Sequence, residues 1–391
     1  MTCMHFWRLH PKNRQAVSND LGYQSDGKRS LRGRTQRGLG MKGFIKGALL
    51  AAALSVTPHG VAHARDFTVT AWGGAVQDAK RTIYFTPFAQ DKGIKVLDDV
   101  YEGGWAPFKA MQDTGVAPWD VVQVETAELV RGCEEGVFAP LDWSKIGDKK
   151  DFVPYAVSEC GVGTTAWSIV LAYNKDSVKD GPTTVQDFFN LQKWPGKRAM
   201  RRGPKINLEF ALMADGVAPA DVYKVLSTPQ GIDRAFAKLD TIKPQIQWWK
   251  AGAQPTEWLA SGDVAMALAY NGRVSAALDG GKHFGIVWQN TQYDVDAWAI
   301  PAKSPYIERA HEFIKYASDA KRQADFTNIF AYGTTINGAE KFIKPERIAL
   351  LPAGDNLKTG LHIGSEEARA FWLDHLEELN ERFNTWSGTS E

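Results

Sequence analysis

Strand-like and helix-like segments alternate along most of this chain, and that alternation constrains its fold more than any other feature. Residues 66–72 (DFTVTAW) form a strand candidate that runs into Gly73-Gly74 and then a helical stretch over 75–90. Strands over 94–101 and 119–124 follow, the latter entering a helix near 125–135. Strands joined through helices pair in parallel, because the crossover must lie over the sheet face. The pattern therefore predicts a largely parallel sheet covered on both faces, with ligands gathering at the carboxyl ends of its strands.

A second α/β set lies further along. Helices over 185–191, 206–214, 229–239 and 255–261 are interspersed with strands over 197–201, 245–249, 264–270 and 283–288. Two apolar runs, 167–173 (WSIVLAY) and 295–300, stopped by Pro301, suit buried strands that cross between lobes. The remainder, 304–386, reads as mostly helical, with amphipathic segments near 307–317 and 366–383. The expected architecture is two α/β lobes with two chain crossings. Residues 65–172 plus 297–391 make the first lobe, and 173–296 the second.

The N-terminal region does not share this pattern. A short basic stretch from Met41 to Lys46 precedes the apolar run 47–56, then Pro58, Gly60 and the small-residue site Ala62-His63-Ala64. That order reads as a secretory signal peptide over 41–64, cleaved near Ala64, with 1–40 an upstream extension of the reading frame. An amphipathic first helix of the fold is the alternative. The apolar run is too short for a permanent membrane span.

Removing this region changes the electrostatics. The whole chain of 391 residues carries 46 basic and 45 acidic side chains, a formal +1. Ten Lys/Arg and only Asp20 and Asp26 fall in 1–64, so 65–391 holds 36 basic and 43 acidic residues, a net of −7. An acidic body argues against nucleic acid as a partner. Cys3 falls in the discarded region and leaves Cys133 and Cys160. In an oxidising compartment that even pair reads as one structural disulfide, with two buried free thiols as the alternative.

Enzyme motifs fail one by one. The chain has no G-x-S-x-G elbow and no G-x-x-x-x-G-K-[ST] phosphate loop. Gly161-x-Gly163-x-x-Ala166 matches a dinucleotide fingerprint by letters, yet leads into an apolar strand rather than a helix. His311-Glu312 lacks a second histidine at metal spacing. No cofactor and no metal are expected.

Four stretches together resemble the periplasmic solute-binding proteins of ABC importers, in their polyamine-binding (spermidine/putrescine) group. They are Thr70-Ala71-Trp72-Gly73-Gly74, Asp120-Val121-Val122-Gln123-Val124-Glu125, Ser261-Gly262-Asp263-Val264-Ala265-Met266 through Tyr270-Asn271-Gly272-Arg273, and Asp296-Ala297-Trp298-Ala299-Ile300-Pro301. The resemblance spans 65–391 and implies a two-lobed periplasmic-binding-protein (type II) fold that closes on its ligand about a hinge. Family members surround an alkylammonium with aromatic faces and carboxylates, each aromatic face adding about 0.5–2 kcal/mol of attraction. By that resemblance Trp72 and Tyr270 are aromatic walls, Asp296 is the ammonium-binding carboxylate, and Glu125 and Glu209 are further acidic site residues. Trp248-Trp249 and Trp298 read as packing.

Two departures bear on the ligand. An acid often follows the first-strand aromatic in this group, where this chain has Gly74; another follows the W-x-G segment, where it has Arg273. A guanidinium opposes a dication but pairs bidentately with a carboxylate. Asp296 with Arg273 therefore suits a zwitterion, similar to the γ-aminobutyrate-binding members, and Arg201 is a second carboxylate partner. The expected protein is a monomeric periplasmic receptor that captures a small amine, a polyamine or an ω-amino acid, and delivers it to an inner-membrane permease and, through it, an ATPase. A secreted two-lobed enzyme acting on a small amine is the competing class, and an adhesin or chemosensory partner a third.

Overall fold

A computed structural model describes residues 65–388, so the expected extension, signal peptide and Cys3 lie outside the described residues. Nine strands occur in chain order: β1 (Phe67–Ala71), β2 (Val96–Val100), β3 (Val121–Val124), β4 (Gly161–Asn174), β5 (Arg198–Arg201), β6 (Ile246–Trp249), β7 (Met266–Tyr270), β8 (Phe284–Ala299) and β9 (Leu361–His362). They join as β2-β1-β3-β8-β4-β7-β5-β6, with β9 beside β8. Each end of this array is a parallel trio: β1 pairs β2 and β3 in parallel, and β5 pairs β6 and β7 in parallel.

The two trios are joined by β4 and β8, which run antiparallel from Gly161↔Ala299 to Asn174↔Phe284. One end of β8 pairs β3 (Val122↔Ala299) and the far half of β4 pairs β7 (Tyr173↔Met266). The expected crossings at 167–173 and 295–300 are thus segments of two much longer strands of 14 and 16 residues. Sequence reading divides β8 because the polar run Gln289-Asn290-Thr291-Gln292 interrupts its apolar pattern. Two of those side chains bond to neighbouring backbone: Thr291 Oγ1 donates to Ile169 O at 2.8 Å and Gln292 Nε2 to Ile206 O at 2.7 Å. Close approach at the start of β4 requires glycine, since a Cβ at Gly163 would sit 2.5 Å from that of Ala156. This start is the segment that matches the dinucleotide letters, and it is a strand.

Helices pack on the sheet by their apolar stripes. Helix Ile307–Ala317 buries Ala310, Phe313, Ile314 and Ala317, a 3-4 spacing that places one face on the core. Phe313 meets the fully buried Trp298 edge-on at 5.5 Å. The helical stretch expected over 75–90 runs from Ala75–Lys80 through a π-helical turn, Arg81–Phe85, to Thr86–Lys92.

One expected boundary does not describe the molecule. The expected first lobe takes in 297–391 whole, yet helix Glu366–Ser387 packs on elements that lie within 173–296. Phe371 lies against Tyr223, Phe383 and Trp386 against Trp248, and Arg382 pairs with Asp233 at 2.6 Å. Its aromatic stripe finds its match on that surface, and amphipathicity alone does not say which surface a helix covers. Among the described residues no helix is long and apolar enough to cross a membrane.

Cys133 and Cys160 form a disulfide with a Cα–Cα distance of 5.6 Å, tying helix Thr126–Glu134 to the start of β4. The bridge closes a loop over a sequence separation of 27. Replacing both cysteines by alanine is expected to lower unfolding stability by about 3–4 kcal/mol, read as a lower urea midpoint under oxidising conditions.

Candidate functional site

The carboxyl ends of the parallel strands converge on a cleft of about 570 Å³ between the two trios. Trp72 follows β1, Glu125 follows β3, Arg201 ends β5, Trp249 ends β6 and Tyr270 ends β7, and all five line it. Asp296, on the crossing strand β8, forms its floor.

Asp296 is 5% exposed and held by three N–H donors. Trp72 Nε1 and Gln123 Nε2 donate to its Oδ2, and Trp167 Nε1 donates to Oδ1, each at 2.7 Å. A carboxylate offers about four acceptor positions, so one on Oδ1 remains for a ligand. Burial and the nearby Glu125 charge push its carboxyl up to about 8, against the opposing pull of Lys80 and the indole donors. Lys80 is fully buried, donates to Thr165 Oγ1 at 3.4 Å, and is pulled down to about 7 by burial, with Asp296 acting in the other direction.

Aromatic rings form the walls. Trp72 tilts on Tyr101 at 5.1 Å, while Tyr270 meets Trp167 edge-on at 5.3 Å and Trp249 at 5.7 Å. Glu125 and Arg201, expected as separate ligand contacts, face each other. Arg201 Nη1 lies 3.4 Å from Glu125 Oε1, and Lys205 Nζ 3.7 Å from Oε2. Burial alone would raise the Glu125 carboxyl, but the charges of Arg201 and Lys205 outweigh it and hold it below the ordinary glutamate range.

Arg273 is different. Its Nη2 lies 3.4 Å from Gly73 O, and among the described residues it forms no ion pair. Gly74, at φ +70°, faces it, and a Cβ there would sit 3.8 Å from Arg273 Nη1. The lining as a whole has four cations, Lys80, Arg201, Lys250 and Arg273, against the three acids Glu102, Glu125 and Asp296.

Six of the seven expected site residues line this cleft: Trp72, Glu125, Arg201, Tyr270, Arg273 and Asp296. Glu209 does not. It is fully buried on helix Asn207–Ala214, accepting from Tyr223 Oη at 3.0 Å and Trp372 Nε1 at 2.8 Å. That helix buries every residue, so its acid faces packing rather than a ligand. Sequence reasoning missed Lys80, Gln123 and Trp167, and it read as packing Trp249, which lines the cleft. Gln123 lies on β3 two residues before Glu125, the extended residue that follows the strand, and this same-face spacing was available as a signal. Among the described residues, no group of three or more His, Cys, Asp or Glu is placed to hold a metal ion.

The profile of the bacterial extracellular solute-binding proteins matches residues 84–349. The chain belongs to that family. A γ-aminobutyric acid-binding protein of Pseudomonas aeruginosa is 46% identical to this solute-binding protein over 327 residues, covering 83% of this chain and 92% of its own length. The putrescine-binding periplasmic protein PotF of Escherichia coli is 25% identical over 319 residues, covering 71% and 78% of the two chains. A solved GABA receptor superposes with a TM-score of 0.74 at 31% identity, covering 84% of this chain and all but 1% of its own, since 99% is matched. The solute-binding protein is the periplasmic ligand-capturing component of an ABC importer, working with a permease and its ATPase. These relatives lend no support to the enzyme alternative.

The Glu209 placement generates a stability prediction. Burial raises its carboxyl above the ordinary value of 4.5, so the folded state holds the proton to higher pH than the unfolded chain. Its contribution to stability is complete below 4.5 and is lost as the pH rises through the raised value. Wild-type stability is therefore expected to fall with rising pH relative to Glu209→Gln, as followed by urea unfolding. Glu209→Leu, which strips an acceptor from two buried donors, is expected to cost about 1–3 kcal/mol.

Proposed function

We propose that the captured solute is an ω-amino acid of the γ-aminobutyrate type, its ammonium at Asp296 and its carboxylate at Arg273. The observation that carries this reading is the unpaired Arg273 in the same cleft as the Asp296 carboxylate. The two departures from the polyamine pattern, Gly74 and Arg273, also lie against each other. An acid at position 74 would neutralise the guanidinium, and the glycine leaves it available to a ligand. A second ammonium placed there instead would meet like charge in a partly desolvated site, at a cost of several kcal/mol. The greater identity to a γ-aminobutyric acid-binding protein than to the polyamine-binding relatives supports the same choice.

Capture proceeds by lobe closure, driven by the ligand's higher affinity for the closed arrangement. The lobes divide at β4 and β8, with helix Glu366–Ser387 moving with the second. Glu125 on the first lobe with Arg201 and Lys205 on the second forms a polar contact across the cleft beside the ligand. Micromolar capture needs only about −8 kcal/mol, within reach of two charge-assisted ends and buried methylenes between aromatic walls. The protein acts as a monomer without nucleic acid.

Export uses the signal peptide over 41–64. Arg65, the first residue after the cleavage site, belongs to the fold, its guanidinium bonding both oxygens of the buried Asp120 at 2.6 and 2.7 Å. Mass spectrometry of the periplasmic protein is expected to find an N-terminus at Arg65; retention of residues 41–64 would contradict cleavage there.

Calorimetry tests the ligand. The wild type is expected to bind γ-aminobutyrate more tightly than putrescine, and Asp296→Ala to abolish the heat of binding. Arg273→Ala is expected to weaken γ-aminobutyrate about tenfold or more while leaving putrescine no weaker. Unchanged γ-aminobutyrate affinity in Arg273→Ala would remove the zwitterion reading.

A further inference from the structure

Lys80 is the one cation lining the cleft that is wholly buried. It ends helix Ala75–Lys80, and its ammonium lies 4.9 Å from the centre of the Trp298 ring and 4.7 Å from that of Phe326. Its one hydrogen bond, to Thr165 Oγ1, is long at 3.4 Å, and among the described residues no carboxylate lies within ion-pair distance. An ammonium so poorly solvated is costly, and a side chain kept only for packing would be apolar there.

Nor is Lys80 needed to hold Asp296. Three N–H donors already fix both carboxylate oxygens, from Trp72, Gln123 and Trp167. What Lys80 adds, in its protonated form, is a positive charge in the same cleft as that carboxylate, in a medium that screens poorly. Its effect depends on the ligand's charge pattern. A zwitterion presents one end of each sign, so the field of Lys80 opposes its ammonium and favours its carboxylate. A diammonium ligand is opposed at both ends. The acidic body of the chain, net −7 over 65–391, offers no such discrimination and attracts diamines.

We propose that Lys80 is a specificity determinant acting through Asp296, its buried charge making the cleft reject diammonium ligands in favour of those with a single ammonium. This rests on the assignment of Asp296 as the ammonium site.

The test compares wild type, Lys80→Met and Lys80→Gln, the first matching volume and the second retaining a donor toward Thr165. Affinities for γ-aminobutyrate and putrescine are measured by calorimetry, with thermal melting to establish folding. In either folded variant, putrescine is expected to tighten so that the ratio of putrescine to γ-aminobutyrate affinity rises about tenfold or more. A role in packing alone would not tighten putrescine. If both folded variants keep the wild-type ratio, or shift it only by losing γ-aminobutyrate, the proposal for Lys80 is overturned while the ω-amino acid reading stands. If the wild type itself fails to bind γ-aminobutyrate, it is that reading which fails.

Discussion

The candidate site depends on how one buried carboxylate is held. Asp296 sits on the strand that joins the two sheet halves, and its hydrogen bonds come from Trp72 after β1, Gln123 on β3 and Trp167 on β4. Each bond to a charged acceptor is of the stronger kind, about 1.5–3 kcal/mol. Leaving such a group unpaired would cost more than the bonds return. The donors thus do two things at once. They make a desolvated acid tolerable, and they fix two indoles as walls beside it, so the aromatic and ionic parts of the site are one construction.

Charge illustrates how whole-chain averages hide local design. The formal +1 of the chain divides into a basic N-terminal region and an acidic body of −7, and the cleft within that body carries more cations than acids. Long-range attraction and local recognition therefore oppose each other. The surface favours the approach of cations, while the cleft meets them with a lining that holds Lys80, Arg201, Lys250 and Arg273.

Much of this was legible in sequence where one residue carries its own constraint. Trp72 and Asp296 end or interrupt strand patterns at the edge where α/β sheets bind ligands, and both reach the cleft. The parallel trios followed from alternation alone. The rest was hidden for identifiable reasons. The polar middle of β8 looks like a loop until its side chains are seen bonding to neighbouring backbone. Glu209 carries the letters of a site acid, but helix Asn207–Ala214 is buried all round and has no solvent face on which to present it. Lys80 lies at the end of an ordinary helix, and nothing in its neighbours signals that its buried side chain lines the cleft.

The C-terminal helix has a mechanical meaning. After β8 the chain returns to the first lobe, where helix Ile307–Ala317 packs by Trp298, and then lays β9 alongside β8 at Gln292↔Leu361 before anchoring on the second. The halves are consequently strapped at three places rather than two. For the lobe closure proposed above, this third connection is expected to restrain the two halves more than β4 and β8 alone would.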